Sequence, residues 1–261
     1  MLKDIRYFVI QTKFNIKNAY ALRSAFWIGV VSMIVNNCVF FIIWSLFMKS
    51  VGDINGWTGV DVFGMLGVSM FIYGITFGFF HGVVDLPQMI VRGSFDNVLI
   101  SPVNSFFKLA TSSFLVTAYG DLLLGAVVFL SYGIYLQFSL YTWLLYVLAI
   151  IFGAIVFLCI RLLCSLISFF IYDGDNISNQ LFEIFLRPGL YPGAIFPIKL
   201  KTFFMTLVPA LLTSAIPVDI IKTNSLKLLS LSLLVTSIWI LITFLVYKIA
   251  LRRYESGNLL R

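Results

Sequence analysis

Charge is what this 261-residue chain lacks most: 11% of its residues are Asp, Glu, Lys or Arg, while 61% are hydrophobic. A soluble domain carries about a quarter charged residues, so there is too little polar surface here to coat a globule in water. Acidic residues are scarcest, 11 against 18 Lys and Arg, which leaves a net charge of +7. Histidine occurs once, at His81, which reads as an interfacial or packed residue. With no H-E-x-x-H pair and no G-x-S-x-G elbow, intramembrane proteolysis has nothing to stand on. The phosphate-cradling G-x-x-x-x-G-K-[ST] loop is missing too. If the protein uses ATP, another chain binds it. Cys38, Cys159 and Cys164 all fall in apolar stretches, where a thiol packs as a small hydrophobe, so neither a disulfide framework nor a metal site is expected. The N-terminus has no short apolar core before a small-residue site and does not read as a cleavable signal. Repeats, low-complexity tracts and long polar linkers are also absent, so 1–261 reads as one domain.

What the chain does have is length without charge. The twenty residues between Lys227 and Lys248 carry no charged side chain. At 1.5 Å per residue, that run crosses a hydrocarbon core of about 30 Å. Further apolar runs predict spans at 26–48, 60–80, 114–136, 141–171 and 177–195, with the last at 228–247. The 60–80 run is rich in glycine (Gly64, Gly67, Gly74, Gly78), so a neighbouring helix can approach it closely. Residues 1–24 place Ile5, Phe8, Val9, Thr12 and Ile16 at helical spacing among Lys and Arg, which suits an amphipathic helix in the membrane interface. Residues 82–107 form a more polar connection. Residues 196–222 are apolar but broken by proline, and irregular backbone survives at membrane depth only where protein or water satisfies it. A re-entrant segment after a short fifth span fits better there than two ordinary crossings.

The positions of the positive charges argue against nucleic acid as a partner. Six crossings put both termini on one side, together with Lys3, Arg6, Lys13, Lys17, Arg23, Arg92, Lys108, Lys248, Arg252, Arg253 and Arg261. Lys49, Lys199, Lys201, Lys222 and Lys227 face the other. The positive-inside rule then makes the termini and the 82–107 connection cytoplasmic, with basic flanks on lipid headgroups. Charges interrupt several of the spans, Asp121 and Arg161 among them. Asp121 and Arg161 fall in the half of the bilayer nearer the termini, where a buried ion usually finds a partner. They are expected either to pair across adjacent helices or to reach water separately. A secondary carrier would show more such groups, and broken helices in matching halves. Here the breaks are confined to the C-terminal half.

Three stretches resemble the membrane subunit of an ATP-binding cassette exporter, in the ABC-2 family of roughly 260-residue, six-span permeases. The run from Val91 to Asn104 is similar to that family's R-G-x-x-D-x-x-L-x-x-P-x-N element through Arg92, Gly93, Asp96, Leu99, Pro102 and Asn104. Tyr191-Pro192-Gly193-Ala194-Ile195-Phe196-Pro197, followed by Pro209 and Pro217, resembles its Y-P-x-x-I-F-P lead into outer re-entrant helices. Arg252-Arg253-Tyr254-Glu255-Ser256-Gly257 is similar to its R-R-Y-x-S-G ending. Pro188-Gly189 and the outer lysines depart from the pattern.

The resemblance implies an all-α integral membrane fold with six transmembrane helices, an N-terminal interfacial helix, a coupling helix between spans two and three, and re-entrant helices between spans five and six. It implies a bacterial plasma-membrane permease with no catalytic residues, paired with an identical or related permease and driven by two copies of an ATPase chain that hold ATP and Mg. Coupling would fall to Asp85, Arg92, Gly93, Asp96, Leu99 and Pro102, and the cargo cavity to Phe- and Gly-rich faces of spans one, two and five. A stand-alone transporter or channel is the alternative, and a membrane scaffold a more distant one.

Overall fold

The computed structural model describes residues 2–171 and 173–254, and every regular element among them is helical. The Glu255-Ser256-Gly257 half of the basic ending, and Arg261, lie outside the described residues. Helix α1 (Leu2–Ala21) breaks at Leu22 and gives way to α2 (Arg23–Val51). A turn with Gly52, Asn55 and Gly56 at positive φ leads into α3 (Gly59–Phe79). There a capping box, in which Thr58 and Asp61 exchange hydrogen bonds, fixes the helix start. Three short helices follow: α4 (Gly82–Val91), α5 (Asp96–Leu99) and α6 (Ser105–Ala110). Next come α7 (Ala118–Tyr135) and α8 (Leu140–Leu166), the latter extended by a 3-10 turn to Phe169. Helix α9 (Gly174–Leu186), the short α10 (Ile198–Thr206) and α11 (Ala215–Thr223), and α12 (Leu226–Arg253) complete the chain.

Five helices are long and apolar enough to cross a membrane: α2, α3, α7, α8 and α12. The chain is a multi-pass membrane protein. The expected fifth span, 177–195, is not one continuous helix. Its α-helical part, α9, has 13 residues, about 20 Å of rise. Pro188 and Pro192 lack the N–H that an α-helix needs, and the chain continues as 3-10 turns at Arg187–Leu190 and Gly193–Ile195. The third span also starts later than expected, since 113–117 is non-helical.

Helix α3 is the centre of one half of the bundle and packs along α7. Glycine makes this possible. A Cβ at Gly74 would lie 2.4 Å from the Leu122 backbone nitrogen, and one at Gly125 would lie 2.4 Å from that of Phe71. Helix α8 organises the other half, touching α12, α9, α11, α3 and α4. Helices α2 and α12 lie at the periphery; Ile28, Val31, Val35, Ile42 and Leu46 of α2 are exposed apolar side chains suited to lipid.

The two ends of the bundle differ. At one, α4 to α6 pack against the last turns of α8 and α12 around Val83, Leu86, Phe95, Leu109, Leu166 and Ala250. At the other, the re-entrant segment folds back inside. Its elbow, a 3-10 turn over Ala210–Thr213 followed by α11 from Ala215 to Ile221, is buried throughout. Helix α1 lies at the α4 end, where Phe8 stacks on Phe80 at 5.3 Å and Asn15 donates to the Thr111 carbonyl at 3.0 Å. The expected apolar stripe of α1 is thereby divided. Phe8 and Thr12 turn toward the protein, whereas Ile5, Val9 and Ile16 stay exposed.

Candidate functional site

The α4 end is a docked platform. Val83 and Leu86 have no solvent exposure, a burial of about 1.5–3 kcal/mol for each such side chain. Gly82 lies so close to the end of α6 that a Cβ would overlap the Leu109 carbonyl. Arg92 caps the helix, and Gly93 turns the chain away at φ +67°, a conformation glycine adopts without strain. Arg92 is exposed and bonds Gln88 at 3.3 Å. Leu99, Pro102, Val91 and Ile100 are exposed beside it, and Asp96, half-buried, opens α5. Asp85 faces inward instead. Ser113 donates to it and His81 Nδ1 lies 3.7 Å away. Burial pushes the Asp85 carboxyl up, but hydrogen bonds from His81 and Ser113, with the Arg161 charge behind them, outweigh it and hold the group below its ordinary value. Six residues expected to act together therefore divide: Asp85 braces the platform from within, while Arg92, Leu99 and Pro102 lie on its surface.

Asp121, in the first turn of α7, and Arg161, near the end of α8, are both buried and have separate partners. Asp121, 2% exposed, accepts a 2.6 Å hydrogen bond from Asn37 of α2. Arg161, 1% exposed, donates to Asn179 of α9 at 3.0 Å and to the Val84 carbonyl of α4 at 3.4 Å, with Phe182 5.0 Å beneath its guanidinium. The expected pairing of the two fails for a packing reason. Helix α7 lies against α3 and α2, whereas α8 turns toward α4, α9 and α12. Arg161 instead ties α8 to both the platform and α9.

Beside Asp121 opens a cleft of about 410 Å³ between α2, α3, α7 and α9, with Asn36, Asn37, Ser69, Tyr73 and Glu183 on its walls. The cleft lies within one chain, whereas the expected cargo cavity lay between two permease copies; its walls are largely apolar, with Asp121 and Glu183 as the carboxylates. Phe40 is the one phenylalanine of that lining and no glycine takes part.

At the α11 end, four remote segments meet in two ion pairs. Lys222 lies 2.6 Å from Asp61 and from the Gly56 carbonyl, and Tyr132 donates to Asp61 at 2.8 Å. Lys201 lies 2.7 Å from Asp219, which also accepts from the Trp57 indole at 3.2 Å. The prolines punctuate this region by position. Pro197 precedes α10, Pro209 opens the buried elbow, and Pro217 occupies the first turn of α11, where its missing N–H has no intrahelical acceptor anyway. Tyr191 meets Trp44 edge-on at 6.2 Å, Phe196 packs on Phe204 at 5.1 Å, and Pro192 leads into the 3-10 turn at Gly193.

A family comparison covers most of this helical chain. The family model described as "ABC-2 family transporter protein" matches residues 34–257. The chain belongs to the ABC-2 family. No curated protein matches it. ABC-2 proteins are membrane components of transport systems rather than catalysts, and membership implies an ABC transporter system with an ATPase partner in general.

For this ABC-2 family chain, sequence reading missed Asn37, Asn179, Asp61, Trp57, Tyr132 and Asp219. The surplus of outer lysines was the available signal. Two of them, Lys201 and Lys222, form ion pairs with Asp219 and Asp61.

Proposed function

We propose that this ABC-2 protein is the permease subunit of an exporter, which forms the translocation path and is driven by a separate ATPase that holds ATP and Mg. The carrying observation is the mechanical continuity of α4. The helix is buried on one side against α6 and the end of α8, and Arg161 links it through the Val84 carbonyl to α8 and α9. Val91 and Arg92 at its end, and Leu99 and Ile100 of the neighbouring α5, are exposed. A partner pressing there displaces transmembrane helices rather than a loose loop.

In this reading the chain makes six crossings, with cytoplasmic termini, in a bacterial inner membrane, and two further observations support the sixth crossing. Asp175, at the start of α9, accepts from Gln88 of the platform at 3.3 Å. Ala194, beyond α9, accepts from Asn55 at the α11 end at 2.9 Å. Residues 175–194 thus run from one end of the bundle to the other as a helix finished in 3-10 turns. A second permease, identical or related, covers the cleft side of α2 in this reading, and one ATPase copy serves each platform.

Replacing Arg92 and Asp96 together by Ala tests the coupling. In the purified complex, ATP hydrolysis is expected to persist while transport falls by about tenfold, the equivalent of about 1.4 kcal/mol of lost coupling. Transport per ATP equal to the unmodified complex removes both residues from the coupling surface.

A further inference from the structure

The cleft between α2, α3, α7 and α9 carries two carboxylates, Asp121 on α7 and Glu183 on α9, and no Lys or Arg among its lining residues. Asp121 is the informative one. Only one of its oxygens is satisfied, by Asn37; the other is buried without a hydrogen-bond partner among the described residues. A half-satisfied carboxylate at membrane depth is costly, and such groups mark substrate or ion paths. Asp121 itself lines a space of about 410 Å³, within the range of small-molecule sites, which are mostly apolar with a few fixed polar groups.

We infer that this cleft binds an organic cation with an apolar body, held at membrane depth by Asp121 and Glu183. The apolar walls, with Met33, Phe40 and Met70, suit the body, and the aromatic residues Tyr73 and Phe40 in the lining suit a cation. A bare metal ion fits poorly. It needs several oxygen ligands converging at once, and no group of three or more His, Cys, Asp or Glu among the described residues is arranged to hold one. An anion is repelled by both carboxylates. Direct contact with the buried oxygen is not required, because a charge in low-dielectric surroundings acts over several ångströms. The inference deepens the permease reading by naming the chemical class of the cargo.

The test uses the full chain in zwitterionic lipid nanodiscs and a matched pair of probes, tetraphenylphosphonium and tetraphenylborate, each corrected for binding to empty nanodiscs. Saturable binding of the cation and none of the anion is expected. Glu183 is exposed, so Glu183→Gln is the safer variant; Asp121→Asn retains an oxygen to accept from Asn37. Each is expected to weaken cation binding about tenfold, the effect of losing one charge interaction of about 1.4 kcal/mol. Equal binding of both ions, or cation binding unchanged in Glu183→Gln and Asp121→Asn, overturns the inference. The ATPase-bound complex is assayed separately. ATP-driven flux of neutral amphiphiles alone defeats the cation site and leaves the permease reading intact. Carboxylate-dependent cation binding without any ATP-driven flux does the reverse.

Discussion

Asp85 and Asp121 are both partly buried carboxylates, yet their surroundings differ in kind. Asp85 has a hydroxyl and an imidazole within reach and a guanidinium behind them, so its charged form is favoured. A carboxylate held below its ordinary value stabilises the fold above the unfolded value, about 3.9, and loses that contribution as pH falls through the folded value. The margin by which the native protein outlasts Asp85→Asn in thermal melts should therefore be full at about pH 5 and vanish as pH drops below about 4. Circular dichroism of the detergent-solubilised proteins reads this directly; a margin that stays constant to the lowest pH contradicts it. The outer pairs follow the same logic of local satisfaction. Asp61 is bonded by Thr58, Tyr132 and Lys222 together, so its charge strengthens the junction of α3 with α11. None of these partners was legible in the sequence, because Lys222 lies 161 positions from Asp61 and Asn37 lies 84 from Asp121. Contacts that distant depend on the topology of the whole bundle.

Among the elements, the α3–α7 pair depends most visibly on single residues. Gly74 admits the backbone of α7 so closely that even a methyl group overlaps it, whereas a Cβ at Gly78 would find nothing nearer than Tyr119 at 3.9 Å. Gly74→Ala should thus lower stability by about 1–3 kcal/mol through overpacking, while Gly78→Ala should change it little. Thermal melts of the two variants side by side check this, and equal losses contradict the packing account. Here the sequence was informative. Four glycines on one apolar run announced a tight helix neighbour, although not which one. The long apolar runs, with at most one charge each, likewise gave four of the long helices to within a few residues at each end, since length and near-absence of charge are sufficient signals for a span. α9 was harder to read because Pro188 and Pro192 convert the end of an apolar run into 3-10 turns. Whether such a run crosses depends on contacts at Asp175 and Ala194 rather than on its own composition.

For the molecule as a whole, the asymmetry between ends carries the functional argument. One end is a latched cap, in which Lys201, Lys222 and Trp57 hold the buried elbow of the re-entrant segment to α3. The other is a platform with exposed Arg92 and apolar neighbours, joined to the membrane helices through Arg161. The three family-like stretches of the sequence fall on the platform, the cap and the end of α12, and for that reason the overall class was readable from short motifs. The acidic cleft between them was not, because its walls come from four separate helices. The sequence carries no G-x-x-x-x-G-K-[ST] loop, and in the function proposed above the gate depends on force delivered to the platform. Flux through sealed vesicles tests that dependence most directly, comparing this chain alone with the chain plus its ATPase. Solute movement is expected only when the ATPase, ATP and Mg are all present. Full-rate movement by the chain alone, with no nucleotide supplied, would contradict it.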